Sequence, residues 1–297
     1  MARRIERNEE LPRLPRRRRE GHKGDYGRVL IVGGSPGMVG AVSLAANAAL
    51  RAGAGLVTFA APETIQQAVA VLCPCATSVP LACDRSGRLA RASVRQLAEA
   101  ARGCDVIAVG PGMGQSPGAA DLVRVVLEQE NPVILDADGL NNLAAIGHWP
   151  GKRRCELVLT PHPGEFARLT GRTVQEIQSD RQAAAAAAAR EWSDQVTAKG
   201  PALVCVLKGA GTVVTDGERV YVNNTGNPGM ATGGSGDVLT GVLAGLRGQG
   251  LEAFYAACLA ARVHGRAGDL AAERLGELSV TASDILEFLP QAFLEAS

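Results

Sequence analysis

Apolar residues recur along the chain in two alternating rhythms. Short aliphatic runs at 28–33, 56–60, 105–110, 132–136, 157–160 and 202–207 read as buried strands. Stretches at 41–51, 117–129, 140–146 and 164–170 between them read as helices. Strand–helix–strand alternation of this kind predicts an α/β fold with a mainly parallel sheet. A longer helix is predicted over 179–197, where seven consecutive alanines (183–189) combine high helicity with little bulk. Strands at 212–215 and 220–223 flank the turn signal Asp216-Gly217. Helices over 251–272 and 281–289 follow. No Pro/Ser-rich linker or internal repeat breaks the pattern, so one domain is expected over 22–297.

One stretch stands apart. Asn227-Pro228-Gly229-Met230-Ala231-Thr232-Gly233-Gly234-Ser235-Gly236-Asp237 runs directly into a helical pattern in which Val238, Val242, Leu243 and Leu246 share a buried face. Gly233, Gly234 and Gly236 let the backbone turn its N–H groups toward one point, and the helix behind adds its positive end. Gly233, Gly234, Ser235 and Gly236 therefore form a candidate anion hole. Asp237 sits at its mouth. It is either a helix N-cap or an acid placed where something must be deprotonated.

Composition narrows the class. A chain with 46% hydrophobic and 21% charged residues is ordinary for a globular protein, and only 3% aromatic content means a core of Ala, Val and Leu. No apolar run approaches the ~20 residues that span a bilayer. Residues 1–20 hold eight Arg and four Glu, and the Arg16–Arg19 run reads as a solvated, disordered arm over 1–21 rather than a nucleic-acid site. It has neither an apolar h-region nor the acid-poor composition of a transit peptide. Seven scattered cysteines fit reduced thiols in a cytoplasmic protein, and Cys73-Pro74-Cys75 with Cys83 lacks metal-ligand spacing.

Open α/β sheets bind ligands beyond the carboxyl ends of their strands. Those ends carry Gly33-Gly34-Ser35, Gly110-Pro111-Gly112, Asp136-Ala137-Asp138-Gly139, Thr160-Pro161-His162-Pro163-Gly164-Glu165 and Lys208-Gly209-Ala210-Gly211-Thr212. The first turn departs from G-x-G-x-x-G and no Walker-type P-loop occurs, so neither a dinucleotide oxidoreductase domain nor a P-loop NTPase is indicated. Lys208 through Thr212 offers a cation, backbone donors and a hydroxyl suited to nucleotide phosphates or ribose. Two prolines stiffen the loop around His162, leaving it able to bond a substrate, while Glu165 falls in the first turn of a helix. Glu165 can hold Mg²⁺ through water, or simply favour that helix end. Asp136 and Asp138 are further Mg²⁺ or ribose candidates. His264, mid-helix, reads as structural.

In this order, the motifs Gly33-Gly34-Ser35 with Gly40-Ala41, Gly110-Pro111-Gly112, Asp136-Ala137-Asp138-Gly139-Leu140-Asn141, Leu159 through Glu165, Lys208-Gly209-x-x-Thr212 and Gly233-Gly234-Ser235-Gly236-Asp237 resemble the ADP/ATP-dependent NAD(P)H-hydrate dehydratases of the ribokinase-like superfamily. The likeness spans about residues 22–290. It implies a three-layer α/β/α fold with a mostly parallel sheet, and repair of the S epimer of NADHX or NADPHX at the expense of ADP or ATP. By motif, Asp237 is the implied base; Ala41, Gly112, His162 and Asp237 contact the hydrate. Lys208, Gly209, Ala210, Gly211, Thr212 and Gly236 take the adenine nucleotide. The family's Asn-x-x-Glu element appears as His162-Pro163-Gly164-Glu165, with His in place of Asn. The resemblance further implies Mg²⁺, a homotetramer, and, since few residues precede the first strand, a stand-alone dehydratase served by a separate epimerase. The alternative is a small-molecule alcohol kinase of the same superfamily, of the hydroxyethylthiazole-kinase type.

Overall fold

Alternate residues of β2 (Arg28–Val32) enter different cores: Val29 and Ile31 join one apolar cluster, Leu30 and Val32 another. The same division holds in β5 (Val106–Val109), where Val106 and Ala108 face one side and Ile107 and Val109 the other. A strand buried on both faces must be covered by helices twice, which makes three layers. The computed structural model describes residues 6–8, 11–12, 16–196 and 201–296. Its sheet comprises β1 (Glu6–Arg7), β2, β3 (Leu56–Pro62), β4 (Thr77–Leu81), β5, β6 (Val133–Leu135), β7 (Leu157–Leu159), β8 (Leu203–Leu207), β9 (Val213–Thr215) and β10 (Arg219–Val222). The spatial order is β1-β10-β9-β8-β7-β6-β5-β2-β3-β4. The pairs from β4 through β8 are parallel, whereas β9 lies antiparallel between β8 and β10. The chain reverses its direction of travel across the sheet between β2 and β5, the kind of position at whose carboxyl ends open α/β sheets take their ligands.

Helices α1 (Val39–Arg51), α2 (Gln66–Leu72), α9 (Ser235–Gly248), α10 (Ala253–Leu275) and α11 (Ala282–Glu295) cover the first face. The second is covered by α3 (Ser93–Ala100), α4 (Pro117–Leu127), α5 (Asp138–Ile146), α6 (Pro163–Thr170), α7 (Val174–Ser179) and α8 (Arg181–Asp194). Contact between α1 and α9 is backbone-close: a Cβ on Gly241 would lie 2.1 Å from the Ala45 carbonyl oxygen. Gly241→Ala must push α9 away and is expected to destabilise the fold by about 1–3 kcal/mol, read from denaturant unfolding. Unchanged stability would contradict that packing.

The strands and most helices lie where the apolar pattern puts them, with shifted ends. The alanine-rich stretch differs: α7 ends at Ser179 and α8 starts anew, because the Asp180 carboxylate accepts the Ala183 amide at 2.9 Å and caps α8. Thr197, the expected end of that helix, lies outside the described residues. The last helix does not stop before Pro290 but runs to Glu295, the missing N–H being offset by burial of Leu289 and Ala292 on either side. In the arm, residues 1–5, 9–10 and 13–15 lie outside the described residues. Its described parts rest on the domain: Glu6–Arg7 pairs with β10, Arg17 stacks 4.2 Å over the Tyr26 ring, and Arg18 meets Asp25 at 3.2 Å.

Candidate active site

The glycine loop delivers its backbone to the carboxyl edge of the sheet in the manner its sequence requires. Gly234 caps α9 with φ +91°, and a Cβ there would fall 2.7 Å from Leu44 Cδ1 in α1 and 2.9 Å from Ala282 Cβ in α11. Only glycine meets both demands. Ser235 begins the helix, so Asp237 occupies its third position and is not the N-cap. Among the described residues, nothing donates a hydrogen bond to the Asp237 carboxylate. Partial burial, reinforced by the nearby Asp136, Asp138 and Glu165 charges and opposed by Lys208, pushes its pKa up to about 7. A carboxylate so tuned takes a proton at neutral pH far more readily than an exposed one.

Beneath the loop lies a buried ionic cluster. Asp136, at the end of β6 and 1% exposed, accepts from Lys208 Nζ at 2.5 Å, Thr160 Oγ1 at 2.8 Å and Thr240 Oγ1 at 2.8 Å. The Lys208 ammonium also stands 3.9 Å from Glu165 Oε2 and reaches under Gly236, where a Cβ would lie 3.2 Å from Nζ. Burial alone would depress Lys208, but Asp136 and Glu165 outweigh it and its pKa is raised, so the side chain stays a cation. Lys208 thus turns inward to carboxylates instead of outward to the exposed Gly209-Ala210-Gly211 turn that follows it. Thr212 Oγ1 closes that turn by donating to the Gly209 carbonyl at 2.9 Å.

His162 caps α6 with its ring: Nδ1 accepts the Gly164 amide at 3.0 Å and the Glu165 amide at 3.3 Å. Glu165 reciprocates, accepting the His162 amide at 2.8 Å. An Asn side chain could do the same work, which explains how His stands in its place. Burial, with the Lys208 and Arg168 charges, lowers the His162 pKa, and the accepting Nδ1 leaves the proton on Nε2, 3.4 Å from Glu165 Oε1. Burial raises the Glu165 pKa against the pull of Lys208. Glu165 lies in the first turn of α6, as the helix-end reading has it, and its carboxylate also faces Lys208.

Gly112, beyond the end of β5, packs on α1, since a Cβ there would sit 2.9 Å from that of Ala41. Ser35 Oγ donates to the Gly112 carbonyl at 2.8 Å and locks the two loops together. Asp138 holds the same wall through the Gly114 amide at 2.8 Å and Asn141 at 3.1 Å. Ala137, between the two anchored aspartates, is forced to φ +46°, a strained conformation for alanine. Thr240 and Arg168, whose guanidinium donates to Asn141 at 3.0 Å, carry no motif signal and emerge only from the geometry, as does the bond that Thr160, inside a motif, makes to Asp136. His264 is structural, as expected: buried, pushed down to about 4 by desolvation, with Nε2 2.9 Å from the Ser235 carbonyl. Cys73 is buried and Cys75 exposed, and among the described residues no three His, Cys, Asp or Glu side chains converge as a metal ligand set.

A mainly parallel sheet with a strand-order reversal, a helix N-terminus opened by glycines and an aspartate with no hydrogen-bond donor among the described residues define a ribokinase-like α/β domain with a candidate anion site. The NAD(P)H-hydrate dehydratase family profile matches residues 29–291, and the chain belongs to that family. It is 50% identical over 280 residues to the bifunctional NAD(P)H-hydrate repair enzyme of Moorella thermoacetica, covering 93% of this chain and 51% of that one. The Escherichia coli enzyme of the same name is 39% identical over 278 residues, covering 93% and 49%. The chain therefore spans about half the length of the curated relatives it matches. A crystal structure of the ADP/ATP-dependent NAD(P)H-hydrate dehydratase from Bacillus subtilis, co-crystallised with ATP/Mg²⁺, superimposes with a TM-score of 0.77 at 30% identity, covering 98% of this chain and 100% of that one. A hydroxyethylthiazole kinase from Pyrococcus horikoshii shares the fold alone, at 17% identity and a TM-score of 0.59.

Proposed function

We propose that this chain dehydrates the S epimer of NADHX or NADPHX to NADH or NADPH, consuming ADP or ATP through a phosphorylated intermediate. The observation that carries the reading is the unbonded Asp237 carboxylate, tuned to about 7, at the amide-lined start of α9. Asp237 takes the proton of the C6 hydroxyl, whose oxygen attacks the terminal phosphorus of the nucleotide. The amides at 233–236 and the end of α9 stabilise charge on the transferring phosphoryl. Phosphate is then a good leaving group, expelled by the ring-nitrogen lone pair, and loss of the C5 proton restores the double bond. Ala41, Gly112 and His162 are assigned to the hydrate. The exposed turn Gly209, Ala210, Gly211 and Thr212, with Gly236, is assigned to the nucleotide; Lys208 supports it from below.

Both Glu165 oxygens are engaged by His162 and Lys208. Mg²⁺ fits here as an ion carried by nucleotide phosphates and water, with Glu165 in its outer sphere, where it would neutralise phosphate charge. Among the described residues no helix is long and apolar enough to cross a membrane. A cytoplasmic homotetramer and an epimerase activity in the same pathway complete the proposal; a monomeric mass in light scattering overturns the tetramer.

The test mixes the protein with NADH hydrate, Mg²⁺ and ADP or ATP, and follows reduced-nicotinamide absorbance and free phosphate. Stoichiometric return of both supports the reading. A stable phosphorylated product without phosphate release would instead make the protein a small-molecule kinase. The general base must be ionised, so kcat/KM is expected to rise with pH through an apparent pKa near 7 and to fall about tenfold per unit below it. A flat profile between pH 5 and 8 contradicts Asp237 as the base.

A further inference from the structure

One face of α10 holds the glycine loop along its length. Near the loop's start, Asn223 Nδ2 donates to the Ala261 carbonyl at 3.2 Å and Thr225 Oγ1 to the Arg262 carbonyl at 2.9 Å. At its far end His264 bonds Ser235. Between them, the Asp269 carboxylate accepts two hydrogen bonds: Oδ2 from the Gly226 amide and Oδ1 from Asn227 Nδ2, each at 3.0 Å. Asn227 passes the restraint on, its Oδ1 accepting the Gly229 amide at 3.0 Å at the head of the 3-10 turn Pro228–Met230. Met230 then seats in a notch of α10, where a Cβ on Gly268 would lie 2.2 Å from its sulfur. Downstream, the ideal Cβ of Gly233 meets nothing within 4 Å. Gly234 is wedged between α1 and α11, but the approach to it from residue 223 through Met230 is held from behind by α10.

We propose that Asp269 is a positioning residue for the anion-binding loop: by fixing Gly226 and Asn227 it sets the path on which residues 233–236 and Asp237 reach the transferring phosphoryl. The role in turnover rests on the dehydratase reading above; the role in loop order does not. Catalysis of phosphoryl transfer depends on donors already in place, and charge-assisted bonds from a rigid helix supply that order. Asp269 acts through the loop and touches no reacting atom.

The test uses the full chain with Asp269→Ala and Asp269→Asn. Amide hydrogen exchange is expected to accelerate at least about tenfold over residues 224–236 in Asp269→Ala, with β2, β5 and the centre of α10 unchanged. Turnover is expected to fall about 10- to 100-fold, with KM for the hydrate within about threefold. Asp269→Asn, which keeps one accepting oxygen, should lie between Ala and wild type in both. Wild-type exchange in the loop of the Ala variant overturns the proposal. So does acceleration spread evenly over the chain, which marks a general loss of stability. Should the wild type not process NADH hydrate, the dehydratase reading fails while the exchange result still judges the clamp.

Discussion

Asp237→Asn is expected to lower kcat for hydrate dehydration by about 10²- to 10⁴-fold while adenine-nucleotide affinity stays within a few-fold. The amide is nearly isosteric, so the loop keeps its shape and only the proton acceptor is lost. A second effect has the opposite sign. The folded-state pKa of Asp237 is raised to about 7, so its neutral form favours folding. That contribution is full below the ordinary carboxylate range and is lost as pH rises through 7. The Asn variant should therefore melt at a higher temperature than wild type at pH 8, and the gain should vanish near pH 4. Calorimetric titration with nucleotide, steady-state kinetics and melting curves at the two pH values check the set. A variant with wild-type turnover removes Asp237 from the mechanism. One that melts lower at pH 8 removes the desolvation account of its acidity.

Lys208→Met carries the other large expectation. It strips the cation from Asp136, which is 1% exposed, and from Glu165. A buried carboxylate left without its partner costs about 3–5 kcal/mol of stability. The double change Asp136→Asn with Lys208→Met should recover much of that loss, because no uncompensated charge then remains beside the Thr160 and Thr240 hydroxyls. Denaturant unfolding of wild type, both singles and the double forms the cycle. If Lys208→Met folds as stably as wild type and only raises the nucleotide KM, Lys208 is a phosphate ligand, as its motif suggested, and the buried-cluster role is wrong.

Lys208 separates what is legible in the sequence from what is not. Its place at the end of a buried strand followed from the apolar run 203–207. Its direction did not, because Asp136 is 72 residues away in sequence and becomes a partner only when β6, β7 and β8 align. His162 and Glu165 were legible as a stiff loop opening a helix, since prolines and capping chemistry act within three residues. Thr240 and Arg168 gave no signal, and Thr160 only its place in a motif, because a hydroxyl or a guanidinium acquires its role from what faces it. The elements α2, β4 and α3 were also silent. Their short, half-exposed stretches, with Pro80 in an edge strand, lack the periodicity of a deep core.

By itself the sequence determined the local features: which runs form strands, where glycine frees the backbone, and that an acid follows the glycine loop. These depend on covalent geometry and on apolar spacing along one segment. Only the tertiary structure decided that Asp237 is a free carboxylate and not a cap, that Lys208 serves buried acids, and that α10 restrains the loop. Each of those outcomes is set by desolvation and by charges arriving from distant segments, and such energies exist only after the segments have packed.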